Sequence, residues 1–210
     1  MRRLYVALAA ASCLPSLLTA QVRGLPVVAS GIANRTTLGV DVGIANDDAG
    51  GTTTIGASVG RGLGPLALTG MVSRGAPSDE AKAVWAQAVG VGFRLYGGPF
   101  APFRVMLQSG VGFWSRGVVD NLHVPVAIGV SATIPNPAFA IRPWLAPRMS
   151  YRRQSFQGVG TSDTHAALSG GIDLAFIGGL VVRAAYDREF VDGSSPGVFS
   201  AGLSYTLGRR

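Results

Sequence analysis

The sequence predicts an all-β protein: an antiparallel, up-and-down transmembrane β-barrel of about ten strands. Three observations predict it. Apolar residues recur at every second position in segment after segment, the period of a strand with two unlike faces. The chain is 48% hydrophobic but only 14% charged, against about 25% charged in soluble domains. Thirty glycines and twelve prolines in 210 residues argue against helices and punctuate the segments.

The elements follow in order. Residues 1–20 open on Arg2 and Arg3 and continue in an apolar run to Leu18, with small residues before Gln21. This reads as a secretory signal peptide, too short to anchor a helix in a membrane. The single cysteine, Cys13, lies inside it, so the mature chain is expected to carry no thiol or disulfide. Residues 21–35 form a lead-in, residues 36–207 the barrel, and residues 208–210 a short tail.

In the first strand Leu38, Val40, Val42 and Ile44 alternate with Gly39, Asp41 and Gly43. Ile55 to Val59 and Leu66 to Val72 repeat the pattern. Val89 to Leu95 and Phe103 to Phe113 carry Arg94 and Arg104 on the other parity. Val124 to Ile134 follows, then Ile141 to Tyr151 with Arg142 and Arg148 opposed to its apolar face. The last three are Leu168 to Phe176 with Asp173, Leu180 to Tyr186 with Arg183 and Asp187, and Phe199 to Leu207. An eight-strand barrel remains open if the first segment or Leu66–Ser73 is not a full strand.

The connections alternate in kind. Tight ones sit at 61–65, 97–102, 135–137 and 178–179. Longer, polar ones sit at 46–50, 75–82, around Asp120 and Asn121, at 157–164 and at 191–197. That is the layout of a meander whose two ends differ.

Periodicity alone leaves two barrels open. A soluble, lipocalin-like barrel puts the aliphatic face inside to bind an apolar ligand, and a transmembrane barrel turns that face to lipid. The small face decides for the membrane. It carries Gly39, Gly43, Gly56, Gly90, Gly112 and Gly171, poor choices for an exposed strand surface. Inside a narrow barrel they leave room for long side chains from neighbouring strands. All the charged strand residues named above, Asp41, Arg94, Arg104, Arg142, Arg148, Asp173, Arg183 and Asp187, share that face, and we expect them to form a lumen charge network. Aromatics gather near both ends: Phe93, Tyr96, Phe100, Phe103, Phe139 and Tyr205 by the tight turns, and Trp85, Phe113, Trp114, Tyr151, Tyr186, Phe190 and Phe199 by the longer loops. Two aromatic girdles are expected of a membrane barrel.

The stretches GGPFAPFRVMLQSGVGF (97–113) and NPAFAIRPWLAPRMSY (136–151), with the signal peptide and ten amphipathic segments, resemble small bacterial outer-membrane β-barrel proteins. The resemblance implies an outer-membrane location in a Gram-negative-type envelope, outer-membrane lipid as a partner, and insertion by the barrel-assembly machinery. Such barrels commonly end on an aromatic that this machinery reads. Here Tyr205 is followed by Thr206, Leu207, Gly208 and two arginines.

Chemistry is sparsely signalled. Barrels of this kind include lipid hydrolases and acyltransferases with a histidine near the outer rim. Ser162, Asp163 and His165 are the residues here that match such a site, although Ser162 and Asp163 also suit a plain turn. His123 reads as a rim residue. Two histidines far apart in sequence argue against a metal site, and no cofactor is expected. The glycine-rich stretches precede no helix, so they are not phosphate loops. The formal charge of +7 is scattered, so no nucleic-acid partner is expected. A ten-strand lumen is about the size that side chains fill. The expected role is therefore non-catalytic: structural or adhesive through the outer loops, or a very narrow, porin-like channel that would favour anions.

Overall fold

The computed structural model describes residues 35–76, 83–98, 101–157 and 159–208. The signal peptide and lead-in expected over 1–34 and the last two residues lie outside them, as does Phe100. The strands are β1 (Thr36–Ala45), β2 (Thr53–Leu63), β3 (Leu66–Ala76), β4 (Val84–Tyr96), β5 (Phe103–Arg116), β6 (Val119–Ala132), β7 (Ile134–Pro135), β8 (Phe139–Phe156), β9 (Val159–Phe176), β10 (Leu180–Phe190) and β11 (Gly197–Thr206). β7 is a two-residue stub on β8, so the wall has ten long strands.

All pairings are antiparallel, and neighbours in the wall are neighbours in sequence. The sheet closes into one ring. β1 pairs with β11 from Thr37 opposite Thr206 to Ala45 opposite Val198, and β6 pairs directly with β8. Closure leaves no long strand with an unpaired edge, the condition for crossing hydrocarbon. The wall is therefore the up-and-down ten-strand barrel that the periodicity predicts, and the eight-strand alternative falls away.

The aliphatic face points out. Leu38, Val40, Val42 and Ile44 are 43–60% exposed, and Val59, Leu68, Val72, Val89, Ile128 and Leu203 behave likewise. The inward side is small or polar: Ala86, Ala88, Ala146, Thr54, Ser73, Ser150 and Ser169 are buried. This overturns the soluble, lipocalin-like arrangement, which needs the aliphatic residues inside.

Two expected loops are strand instead. The chain around Asp120 and Asn121 belongs to β6, and residues 159–164 belong to β9. β5 and β6 join through Gly117, at φ 62°, and β8 and β9 through Gln157, at φ 48°. The β8–β9 hairpin has 18 residues in each strand, whereas about 9–11 cross a membrane. Beyond the membrane both faces meet water, so apolar alternation disappears while backbone pairing persists. That loss of pattern makes these segments read as loops.

The aromatics divide as a girdle requires, with one exception. Trp85, Phe113, Tyr186, Phe190 and Phe199 are exposed near one end, and Phe93, Tyr96, Phe103 and Tyr205 near the other. Trp114 is buried, because it falls on the inward parity of β5 between Gly112 and Arg116.

Candidate functional site: ion pairs inside the barrel

Inward-facing positions of β8, β9 and β10 follow the same parity as the apolar alternation. On β8 they are Arg142, Trp144, Ala146, Arg148, Ser150 and Arg152. On β9 they are Asp163, His165, Ala167, Ser169, Gly171 and Asp173, and on β10 Arg183, Ala185, Asp187 and Glu189. Three adjacent strands thus aim acids and bases into one lumen.

Near the longer-loop end, Arg148 pairs with Asp187 across the width of β9. Its Nη2 donates to Asp187 Oδ1 at 2.8 Å and lies 3.4 Å from Glu189 Oε1. The intervening strand supplies Ser169, whose hydroxyl donates to Asp187 at 2.6 Å. Arg148 Nε donates to Ser150 Oγ at 3.2 Å. Arg152 pairs directly with Glu189. Glu189 and Arg152 are 0% and 1% exposed, so their charges depend on one another. His165 joins both sides: Nε2 lies 3.4 Å from Glu189 Oε2 and Nδ1 3.2 Å from Asp163 Oδ2.

A second group lies nearer the tight turns. Arg183 grips Asp173 with two bonds, Nε to Oδ1 at 2.8 Å and Nη2 to Oδ2 at 2.9 Å, the geometry that suits a guanidinium. The indole of Trp144 donates to Asp173 Oδ1 at 3.1 Å. The strand register sets Asp41, Gly202, Arg183, Asp173 and Arg142 in one row across β1, β11, β10, β9 and β8. Gly202 has to be glycine there, because a Cβ would run into the Asp41 carboxylate. Gly171 serves Trp144 in the same way: a Cβ would sit 2.8 Å from the indole ring. Arg94 and Arg142 stand near enough to Arg104 for their charges to oppose one another, so the tight-turn end of the lumen is cationic.

Of the residues matched to a rim enzyme, the structure brings Asp163 and His165 together. Ser162 stands on the opposite, outward face of β9, opposite Arg153 in register and exposed. The serine opposite His165 in register is Ser150, fully buried. His123 is not at an exposed rim. It is 2% exposed, on the inward face of β6 and opposite Arg152 in register, while His165 stands opposite Ser150 on the other side of β8. Sequence reasoning missed Arg152 and Glu189, although they continue the inward parity of Arg148 and Asp187 by four and two residues. No cluster able to hold a metal ion occurs among the described residues.

No protein-family model and no curated protein matches the chain. Solved structures do match. The β domain of the Bordetella autotransporter BrkA superposes with a TM-score of 0.56 at 14% identity, covering 84% of this chain and all of that one. Ail, the attachment invasion locus protein of Yersinia pestis, gives 0.38 at 14% identity over 81% of this chain and 95% of that one. The outer membrane enzyme PagL gives 0.42 at 11% identity over 81% and 99%. The chain thus has the fold of bacterial outer-membrane β-barrels. A fold alone names no activity.

Proposed function

We propose that this chain is a non-catalytic outer-membrane barrel whose lumen is closed by its own ion pairs and which acts through its longer-loop end. Export by the N-terminal segment and insertion by the barrel-assembly machinery belong to this reading. An apolar belt such as Leu38 to Ile44, repeated around the wall, supports residence in lipid, since water-borne monomers rarely carry so large an apolar surface. The observation that carries the closed lumen is the chain Arg148–Asp187 and Arg152–Glu189–His165, which links β8 to β10. Side chains locked this way fill a ten-strand interior. The surface left for partners is the protruding β8–β9 hairpin with the loops beside it.

Two measurements test it. Unheated protein from a detergent-extracted outer-membrane fraction should migrate differently from boiled protein on a denaturing gel. In planar bilayers the folded protein should show no stepwise openings of porin size, and such openings would end the closed-lumen reading.

The Asp163–His165 contact favours one second reading, a lipid hydrolase or acyltransferase at the rim. Ser150, the serine opposite His165, is buried and already accepts a hydrogen bond from Arg148, which counts against it as a nucleophile. Replacement His165→Ala should leave the acyl pattern of lipid A and phospholipids unchanged, and a changed pattern would revive the enzyme.

A further inference from the structure

The outer wall is interrupted between β2 and β4. Along β3 the outward positions run Arg74, Val72, Gly70 and Leu68, and along β4 Trp85, Gln87, Val89 and Val91. Ala57 on β2 and Gly70 on β3 are small where the surrounding wall carries valine and leucine. The result is an open groove of about 610 Å³ with Val59, Val72, Val89 and Phe113 for walls and Gln87 within its lining. Arg74 lies at its loop-side head, opposite Trp85 in register, and both are exposed. Trp85 belongs to the outward girdle, so Arg74 stands at headgroup depth. Gly70 is four residues deeper, roughly 13 Å at the rise of a strand.

We infer that this groove binds one phospholipid of net negative charge from the surrounding leaflet, with its phosphate at Arg74 and one acyl chain laid along Val72 to Gly70. Three features meet in the order that such a lipid presents them. The guanidinium takes the anionic headgroup. The Gln87 amide, an exposed polar group in an otherwise apolar stretch of wall, donates to an ester carbonyl at the next depth. The small residues Ala57 and Gly70 below accept a chain that valine or leucine would exclude. The inference rests on the membrane reading proposed above.

The test uses the full mature protein folded into vesicles, with Trp85 fluorescence quenched by brominated lipids. Trp114 and Trp144 face the lumen and are buried, and a Trp85→Phe variant supplies their background. The unmodified protein should prefer brominated phosphatidylglycerol over brominated phosphatidylcholine by about threefold, the size expected of one partly exposed charge pair. Arg74→Gln should return that ratio to about one, the value for no charge pair. Gly70→Leu should lower it as well. A Cβ at Gly70 meets only Val59, at an ordinary 3.7 Å, so this variant fills the groove without disturbing the strand. An equal affinity for both lipids, or a preference that survives either substitution, would overturn the proposal. Heat-dependent gel mobility of the same vesicles separates the two claims. Protein that never inserts counts against the membrane reading, and inserted protein without lipid preference counts against the groove alone.

Discussion

The two arcs of the wall line the lumen differently. From β8 to β10 the inward residues are long and charged, among them Arg148, Arg152, Asp173, Arg183, Asp187 and Glu189. From β1 to β4 they are mostly Gly, Ala, Ser and Thr, with Thr54, Ser73, Ala86 and Ala88 buried. A barrel of fixed strand number has a fixed interior to fill. Here one arc supplies the filling and the other the room. The difference teaches that glycine abundance and arginine abundance in this sequence are two sides of one packing solution.

Breaking the charged arc should have the largest effect. Glu189 faces Arg152, Arg148 and His165 with no access to water. Replacement Glu189→Ala strands buried cations and should cost about 3–5 kcal/mol, read from urea unfolding of the barrel in vesicles. Replacing Arg152 and Glu189 together by Met and Leu should recover most of that loss, because no charge is left unpaired. A Glu189→Ala variant as stable as the parent would show that the arc is not held by its ion pairs.

Crowding the seam between the two arcs comes next. Gly202→Ala puts a methyl group where the Asp41 carboxylate lies and should cost about 1–3 kcal/mol by overpacking. Adding Asp41→Ala removes the obstruction, so the double variant should be more stable than the sum of the two singles. Strict additivity would mean that Gly202 is there for some other reason than to admit Asp41.

The alternation made the barrel readable, because period two needs only neighbours in the chain. It also puts every charged residue named from sequence, from Asp41 to Asp187, on the parity opposite to the apolar one. What it left out has physical causes. Arg152 and Glu189 each have a charged neighbour on the outward parity, Arg153 and Arg188, which interrupts the apolar marking, although counting on by two from Arg148 and Asp187 reaches both. His123 and His165 stand far apart in sequence and flank the same strand only because β8 is laid between β6 and β9. The Ser162–His165 pairing failed on parity: an odd separation puts two strand residues on opposite faces. Trp114 was misread as girdle for want of the same count.

The smallest effect, at Ser73, comes from making one substitution on both arcs. Ser73 and Ser169 are both 2% exposed and both face the lumen. On the charged arc, the Ser169 hydroxyl donates to Asp187 at 2.6 Å and touches Arg148. Ser169→Ala therefore removes a bond to a buried carboxylate and should cost about 1.5–3 kcal/mol. On the small arc, the Ser73 hydroxyl has no hydrogen-bond partner among the described residues. Ser73→Ala removes nothing but a desolvated oxygen and should leave stability unchanged or raise it by about 1 kcal/mol. The same unfolding assay measures both. Equal costs would mean that the hydroxyls serve only as small side chains, and the contrast between the arcs would then lie in volume rather than in hydrogen bonding.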